Sequence, residues 1–164
     1  MLTTRGRDAN MNTAIERLLT LRVKDIMRDD VLVIRESDRM CDAAQALSDA
    51  EVTGAPVVDA VGRCTGILSA SDFVGRDAGT HCTGPLLTAE HGGYQIDLGH
   101  DELVSTHMSP VVQTVSAETP ILQAARILCQ EHIHRLVVID TTQRPIGIAS
   151  SLDFVAAMVA AIEE

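Results

Sequence analysis

Three groups of side chains in this sequence have types and spacings that could do chemistry. Ser69-x-x-Asp72 and Ser150-x-x-Asp153 each follow a Gly-Ile pair, Gly66-Ile67 and Gly147-Ile148. Each serine ends an apolar run, and each aspartate falls in the first turn of the segment after it. There the unpaired N–H groups and positive dipole end of a helix favour anions. A carboxylate so placed can accept two hydrogen bonds from the diol of a ribose. Serine and aspartate can equally just cap the helix, and position alone leaves both uses open. The second group is His134-Arg135. Arginine can grip a phosphate with two parallel N–H donors and histidine can add a third, whereas a solvated surface pair is the plain alternative. The third group, His81, Cys82, His91 and His100, could gather around zinc, but its spacing fits no zinc pattern. His132 and His134 alternate along an expected strand without a third ligand. No phosphate loop, dinucleotide fingerprint, nucleophile elbow or H-E-x-x-H occurs, so neither a catalytic residue nor a metal site is assigned.

The two Ser-Asp pairs belong to a repeat. Setting Met27 against Met108 gives an offset of 81 residues that holds without a gap from Met27–Val74 to Met108–Val155, with 14 of 48 pairs identical. Each copy opens on a β-rich run, Val31–Ile34 and Val111–Val115. A helix follows, capped at Asp38 and at Thr119, with Pro120 at its first position. The apolar stripes Met40, Ala43, Ala44, Leu47 and Ile121, Ala124, Ala125, Leu128 fix its inward face. Two strands joined by a tight turn come next, Ala55–Asp59 with Cys64–Leu68 and Leu136–Asp140 with Ile146–Ala149. A second helix starts just after Ser69 and Ser150. This predicts a mixed α/β fold of the α+β kind, two βαββα units packed with pseudo-twofold symmetry and a ligand cleft between them. The organisation expected is an N-terminal helical segment over 1–21, a first unit over 22–76, a Gly-rich linker over 77–101 and a second unit over 102–164.

Composition narrows the function. The 164 residues are 46% hydrophobic and 22% charged, enough to bury a core. Thirteen basic against 23 acidic residues give a net charge of −10, which repels a phosphate backbone, and Phe73, Tyr94 and Phe154 are too few for a base-stacking platform. Nucleic acid is therefore not an expected partner. The longest apolar run, Phe154–Ile162, is far short of the roughly 20 residues that span a bilayer, so no membrane segment is expected. The first residues lack a secretory pattern, which predicts a cytoplasmic protein. Cys41, Cys64, Cys82 and Cys129 form no C-x-x-C pair and are expected as reduced, mostly buried thiols. The last helix carries Phe154, Ala157, Met158, Ala161 and Ile162 on one stripe, with Val155 and Val159 widening it beyond what a core face needs. That excess predicts a homodimer through this helix and the second helix of the first unit.

These residues resemble the cystathionine-β-synthase (CBS) domain, here as a tandem pair or Bateman module over residues 22–162. The matching pieces are Val23-Lys-Asp-Ile-Met27 and Val104-Ser-Thr-His-Met108, Gly54-Ala-Pro-Val-Val-Asp59 and His134-Arg-Leu-Val-Val-Ile-Asp140, and the two turns Gly66–Asp72 and Gly147–Asp153. The resemblance implies a non-enzymatic regulatory module that binds AMP, ADP or ATP, or alternatively S-adenosylmethionine or NAD(H), and that acts on an unidentified regulated protein; most family members carry the pair attached to an enzyme, channel or transporter, and this one is expected to be free-standing. It assigns ribose to Asp72, Asp153, Ser69 and Ser150, and phosphate to His134 and Arg135. Adenine falls to Val33, Val52, Thr53, Gly54, Ala55 and Pro56 in the first copy and to Thr114, Ile133 and Leu136 in the second. Many of these apolar residues would be core in any case. The family geometry directs a nucleotide held by Asp72 toward His134 and Arg135, while one held by Asp153 meets the uncharged Thr53 and Gly54. Two rivals remain: a ligand-free dimerisation module, and a small metal enzyme built on the linker histidines.

Overall fold

The computed structural model describes residues 13–73 and 102–163. Both copies of the repeat fold as mixed α and β structure around a three-stranded sheet. After helix α1 (13–20) the elements of the first copy are β1 (Ile34–Arg35), α2 (Met40–Asp49), β2 (Gly54–Val58), β3 (Cys64–Ser69) and a 3-10 turn over Ala70–Phe73. Those of the second are a short helix α3 (Val104–His107), then β4 (Thr114–Ser116), α4 (Ile121–Gln130), β5 (Arg135–Ile139), β6 (Pro145–Ser150) and α5 (Ser151–Glu163). β1 runs parallel to β2 and β2 antiparallel to β3, and β4 runs parallel to β5. The sheet orders β1-β2-β3 and β4-β5-β6 are the same topology twice. The expected linker and its His81, Cys82, His91 and His100 lie outside the described residues.

The apolar stripes become the cores. Met40, Ala43, Ala44 and Leu47 are buried with Ile34, Ala55, Val57, Leu68 and Phe73. Ile121, Ala124 and Leu128 are buried with Val115, Leu136, Val138, Ala149 and Phe154.

Compact units do not follow the chain order of the repeats. One unit joins residues up to Asp30 with Gln113–Thr141 and the chain from Ile146, and the other joins Val31–Val112 with Thr142–Pro145. They are called here, after their aspartates, the Asp153 unit and the Asp72 unit. Each is therefore completed by the leader segment of the opposite copy. Val23, fully buried, donates its N–H to Thr119 O (2.9 Å), Lys24 donates to Ala117 O (2.9 Å), and Ile121 donates back to Leu21 O (3.2 Å). The same three bonds recur 81 residues on: Val104 to Asp38 O (2.9 Å), Ser105 to Glu36 O (3.0 Å) and Met40 to Glu102 O (2.9 Å). Val23 and Val104 are each a core residue of the unit they complete.

Several local expectations are corrected. Asp38 and Thr119 do not cap helices: the N-cap positions are Arg39 and Pro120, so Pro120 lies just outside α4. Asp38 Oδ2 instead accepts the Arg35 N–H (2.9 Å) and Thr119 Oγ1 accepts the Ser116 N–H (3.2 Å), which bends the chain between strand and helix. Cysteine spacing also misleads. Cys41 is disulfide-bonded, and of the free thiols Cys129 is exposed and Cys64 half-buried. Spacing in sequence does not decide which sulfurs meet in space. Burial pushes the Cys64 thiol pKa up, which keeps it protonated. On α5 only Phe154 and Ala161 enter the core, while Met158 and Ile162 face solvent.

Candidate functional site: a serine-aspartate pair in each unit

In both units the second half of the hairpin delivers the pair. β3 ends at Ser69 and β6 at Ser150, and the chain turns at once into the Ala70–Phe73 turn or into α5. Ser69 N–H and Oγ–H donate to Asp72 Oδ2 at 2.7 and 3.0 Å. Ser150 N–H and Oγ–H donate to Asp153 Oδ2 at 2.7 and 2.6 Å. Each serine thus closes on the aspartate three residues on, and the pair uses one carboxylate oxygen only. Oδ1 of each aspartate accepts no hydrogen bond among the described residues. Both aspartates are half-buried, so Oδ1 keeps its capacity to accept from a diol.

A further bond draws the segment before the middle strand to the same place. Ala70 N–H donates to Thr53 O (2.9 Å) and, 81 residues on, Ser151 N–H donates to His134 O (3.0 Å). Residues 52–54 and 133–135 are therefore tied, each within its own unit, to the turn that carries the aspartate. Val33, Val52 and Thr53 are exposed and Gly54 and Pro56 buried, while in the other unit Thr114, Ile133 and Arg135 are half-buried and His134 exposed. Ala55 and Leu136 are fully buried core residues, so a ligand could meet only their backbone. His132 and His134 do not alternate on a strand: β5 starts at Arg135, and His132 has a left-handed φ of 53° just past α4. The two histidines therefore do not make a strand face, and no cluster of metal-binding side chains exists among the described residues.

One neighbour was not foreseen. Arg28 Nε lies 3.9 Å from Asp153 Oδ1. The leader exchange puts it there: Arg28 and Ile148 trade backbone hydrogen bonds of 2.9 Å in each direction, two residues ahead of Ser150. The corresponding bridge in the Asp72 unit pairs Ser109 with Ile67 at 3.0 Å both ways. Aligning the copies in register sets Arg28 against Ser109, which is the sequence signal that could have singled it out.

The exchange of leaders, the duplicated sheet and the duplicated Ser-Asp turn are set beside known proteins by the family profile of the CBS domain, which matches residues 23–79 and again 102–160. The chain belongs to the CBS domain family. It carries that domain twice, as a tandem pair. An uncharacterised protein of Methanocaldococcus jannaschii is 26% identical over 153 residues, 84% of this chain and 90% of that protein. Among solved structures, CBSX2 in complex with AMP is 25% identical with a TM-score of 0.66, covering 88% of this chain and 99% of that one. The CBS domain pair of protein MJ0100, in complex with 5′-methylthioadenosine and S-adenosyl-L-methionine, is 20% identical with a TM-score of 0.64 over 85% of this chain and 97% of that one. The chain spans 60% of the length of a further match, protein MJ1004. These likenesses fix the α+β fold with its two small sheets. No helix among the described residues is long and apolar enough to cross a membrane.

Proposed function

We propose that this tandem CBS pair is a non-enzymatic regulatory module that binds adenosine compounds, AMP, ADP or ATP foremost, through the Ser-Asp turns. The observation that carries the reading is the division of labour on each aspartate: Oδ2 holds the turn closed through the serine, and Oδ1 accepts no hydrogen bond from the described residues. A ribose diol is a natural partner for such an oxygen. Thr53, Val52 and Val33 in one unit, and Ile133 and Thr114 in the other, supply apolar surface and backbone for the purine, with His134 and Arg135 as donors for phosphate. The relatives bound to AMP, to S-adenosyl-L-methionine and to 5′-methylthioadenosine support the same class of ligand. Regulation of a partner protein from the cytoplasm is the role that follows.

A second reading rests on α5. Leu152, Val155, Met158, Val159 and Ile162 are all exposed on this helix of 13 residues. That surface supports a homodimer, whether or not a ligand binds.

A thermal-shift screen with AMP, ADP, ATP, S-adenosylmethionine, 5′-methylthioadenosine and NADH tests the first reading. A ligand at about 100 times its Kd adds about 2.7 kcal/mol of stability. No shift with any of the six would leave only the dimerisation role.

A further inference from the structure

The two copies agree closely in backbone and differ sharply in charge at the positions around the aspartates. Position 28 is arginine and its twin 109 serine, position 134 is histidine and its twin 53 threonine, and position 135 is arginine and its twin 54 glycine. All three cationic or titratable members belong to the Asp153 unit, and all three neutral ones to the Asp72 unit. Arg28 is the one set against the carboxylate itself. Its backbone is fixed by the paired bonds to Ile148, and Met27 before it packs against the bare Cα of Gly147. Its side chain is 80% exposed, so the guanidinium keeps open donors while Nε stands 3.9 Å from Asp153 Oδ1.

A ribose hydroxyl that takes Oδ1 therefore meets the guanidinium at once. The group of a nucleoside that can use it is an anionic 5′ substituent, because arginine offers parallel N–H donors matched to phosphate oxygens. A neutral or cationic 5′ substituent gains nothing from it. Ser109 imposes no such choice in the other unit. Asp29 and Asp30, both exposed, follow Arg28 and oppose an anion there at longer range, where solvent and salt screen them.

We infer, against the order that the family geometry implies for His134 and Arg135, that Arg28 makes the Asp153 unit selective for phosphorylated adenosine ligands, and that Ser109 leaves the Asp72 unit to accept uncharged adenosine compounds. This rests on the adenosine-binding reading above and adds a specificity residue to it.

Titration calorimetry with AMP and with adenosine separates the two. The Asp72→Asn protein weakens the Asp72 unit, so that the tighter binding event reads the Asp153 unit, and Arg28→Ser and Arg28→Lys are made in that background. In the parent, AMP binds more tightly than adenosine. Arg28→Ser lowers AMP affinity about tenfold, the order expected of one charge-assisted phosphate hydrogen bond, and leaves adenosine affinity within about twofold. Arg28→Lys, which keeps the charge, retains part of the preference for AMP. Added salt weakens AMP binding in the parent and much less in Arg28→Ser. Equal losses for AMP and adenosine in Arg28→Ser would make Arg28 a structural residue and overturn the inference, as would an unchanged AMP affinity. If neither compound binds the parent or the unsubstituted protein, the adenosine reading itself fails, an outcome distinct from binding without discrimination.

Discussion

Asp72 and Asp153 occupy positions that two tasks share, and a single substitution separates them. Asparagine keeps a side-chain oxygen to accept the serine N–H and hydroxyl, so Asp72→Asn and Asp153→Asn retain the turn. With that oxygen held by the serine, the amide NH2 stands where Oδ1 stood and cannot accept from a ribose hydroxyl, a loss of about 1 kcal/mol or somewhat more, or about tenfold in Kd. Unchanged melting with weakened adenosine binding is the expected result, and unchanged affinity in both variants would reduce the aspartates to caps. At this scale the serines and aspartates were legible because the 81-residue register repeats them. Arg28 was not, because nothing in the residue type of a loop arginine says that its backbone will bridge Ile148, 120 positions later. Ala55 and Leu136 mark the opposite failure: an apolar residue beside a site and an apolar residue of the core look alike in sequence.

At the scale of elements, the leaders decide the construction. Each lies so close to its sheet that a glycine is required opposite the leader methionine. A Cβ on Gly66 would stand 2.5 Å from Met108 Sδ and 3.0 Å from Ser109 O, and one on Gly147 would stand 2.5 Å from Met27 Sδ and 3.1 Å from Arg28 O. The methionine tip can swing away, but the carbonyls belong to the bridge and cannot. Gly66→Ala and Gly147→Ala are each expected to cost about 1–3 kcal/mol in urea unfolding, as overpacking of a closed contact does. A cost under about 0.5 kcal/mol would mean that the leader gives way freely. The copies also solve one contact differently. Leu21 and Ile26 pack on the core of the Asp153 unit, whereas their twins in the Asp72 unit are Glu102 and His107, with His107 Nε2 facing the Glu102 carboxylate and its side chain 4% exposed. Glu102→Leu alone sets an apolar side chain against the buried ring nitrogen and is expected to cost about 1–3 kcal/mol. Glu102→Leu with His107→Ile, which copies the apolar solution, is expected to recover that loss. Failure of the double variant to regain stability would show that the pair does more than fill space. The strands and helices were legible from periodicity, but their ends were not. Asp38 and Thr119 bond the chain before the helix, a choice fixed by where the leader carbonyls and N–H groups arrive.

For the molecule as a whole, charge and apolar surface pull in opposite directions. A chain of net charge −10 repels its own copy. Yet α5 presents Leu152, Val155, Val159 and Ile162 at spacings of three, four and three residues, one face of a helix, with Met158 beside them. The opposite side spends only Phe154 and Ala161 on the core, so the outward face is the more apolar of the two, an arrangement that favours covering by a like face. The excess was legible in the sequence; which residues made it up was not, because Met158 and Ile162 fit the inward stripe as well as the outward one. If two copies meet through α5, light scattering gives twice the mass of one chain at micromolar concentration. Val155→Glu with Val159→Glu then gives a single chain with its helical circular dichroism intact, since neither residue enters the core. The opposing charge supplies the sharper test. Raising the salt from about 0.01 M to about 1 M shortens the screening length from about 30 to about 3 Å, which removes the repulsion between copies while leaving apolar burial in place. The dimer should therefore tighten with salt. Loosening would mean that it is held by ion pairs, and a mass of one chain at every salt concentration would leave the apolar face of α5 for some other partner.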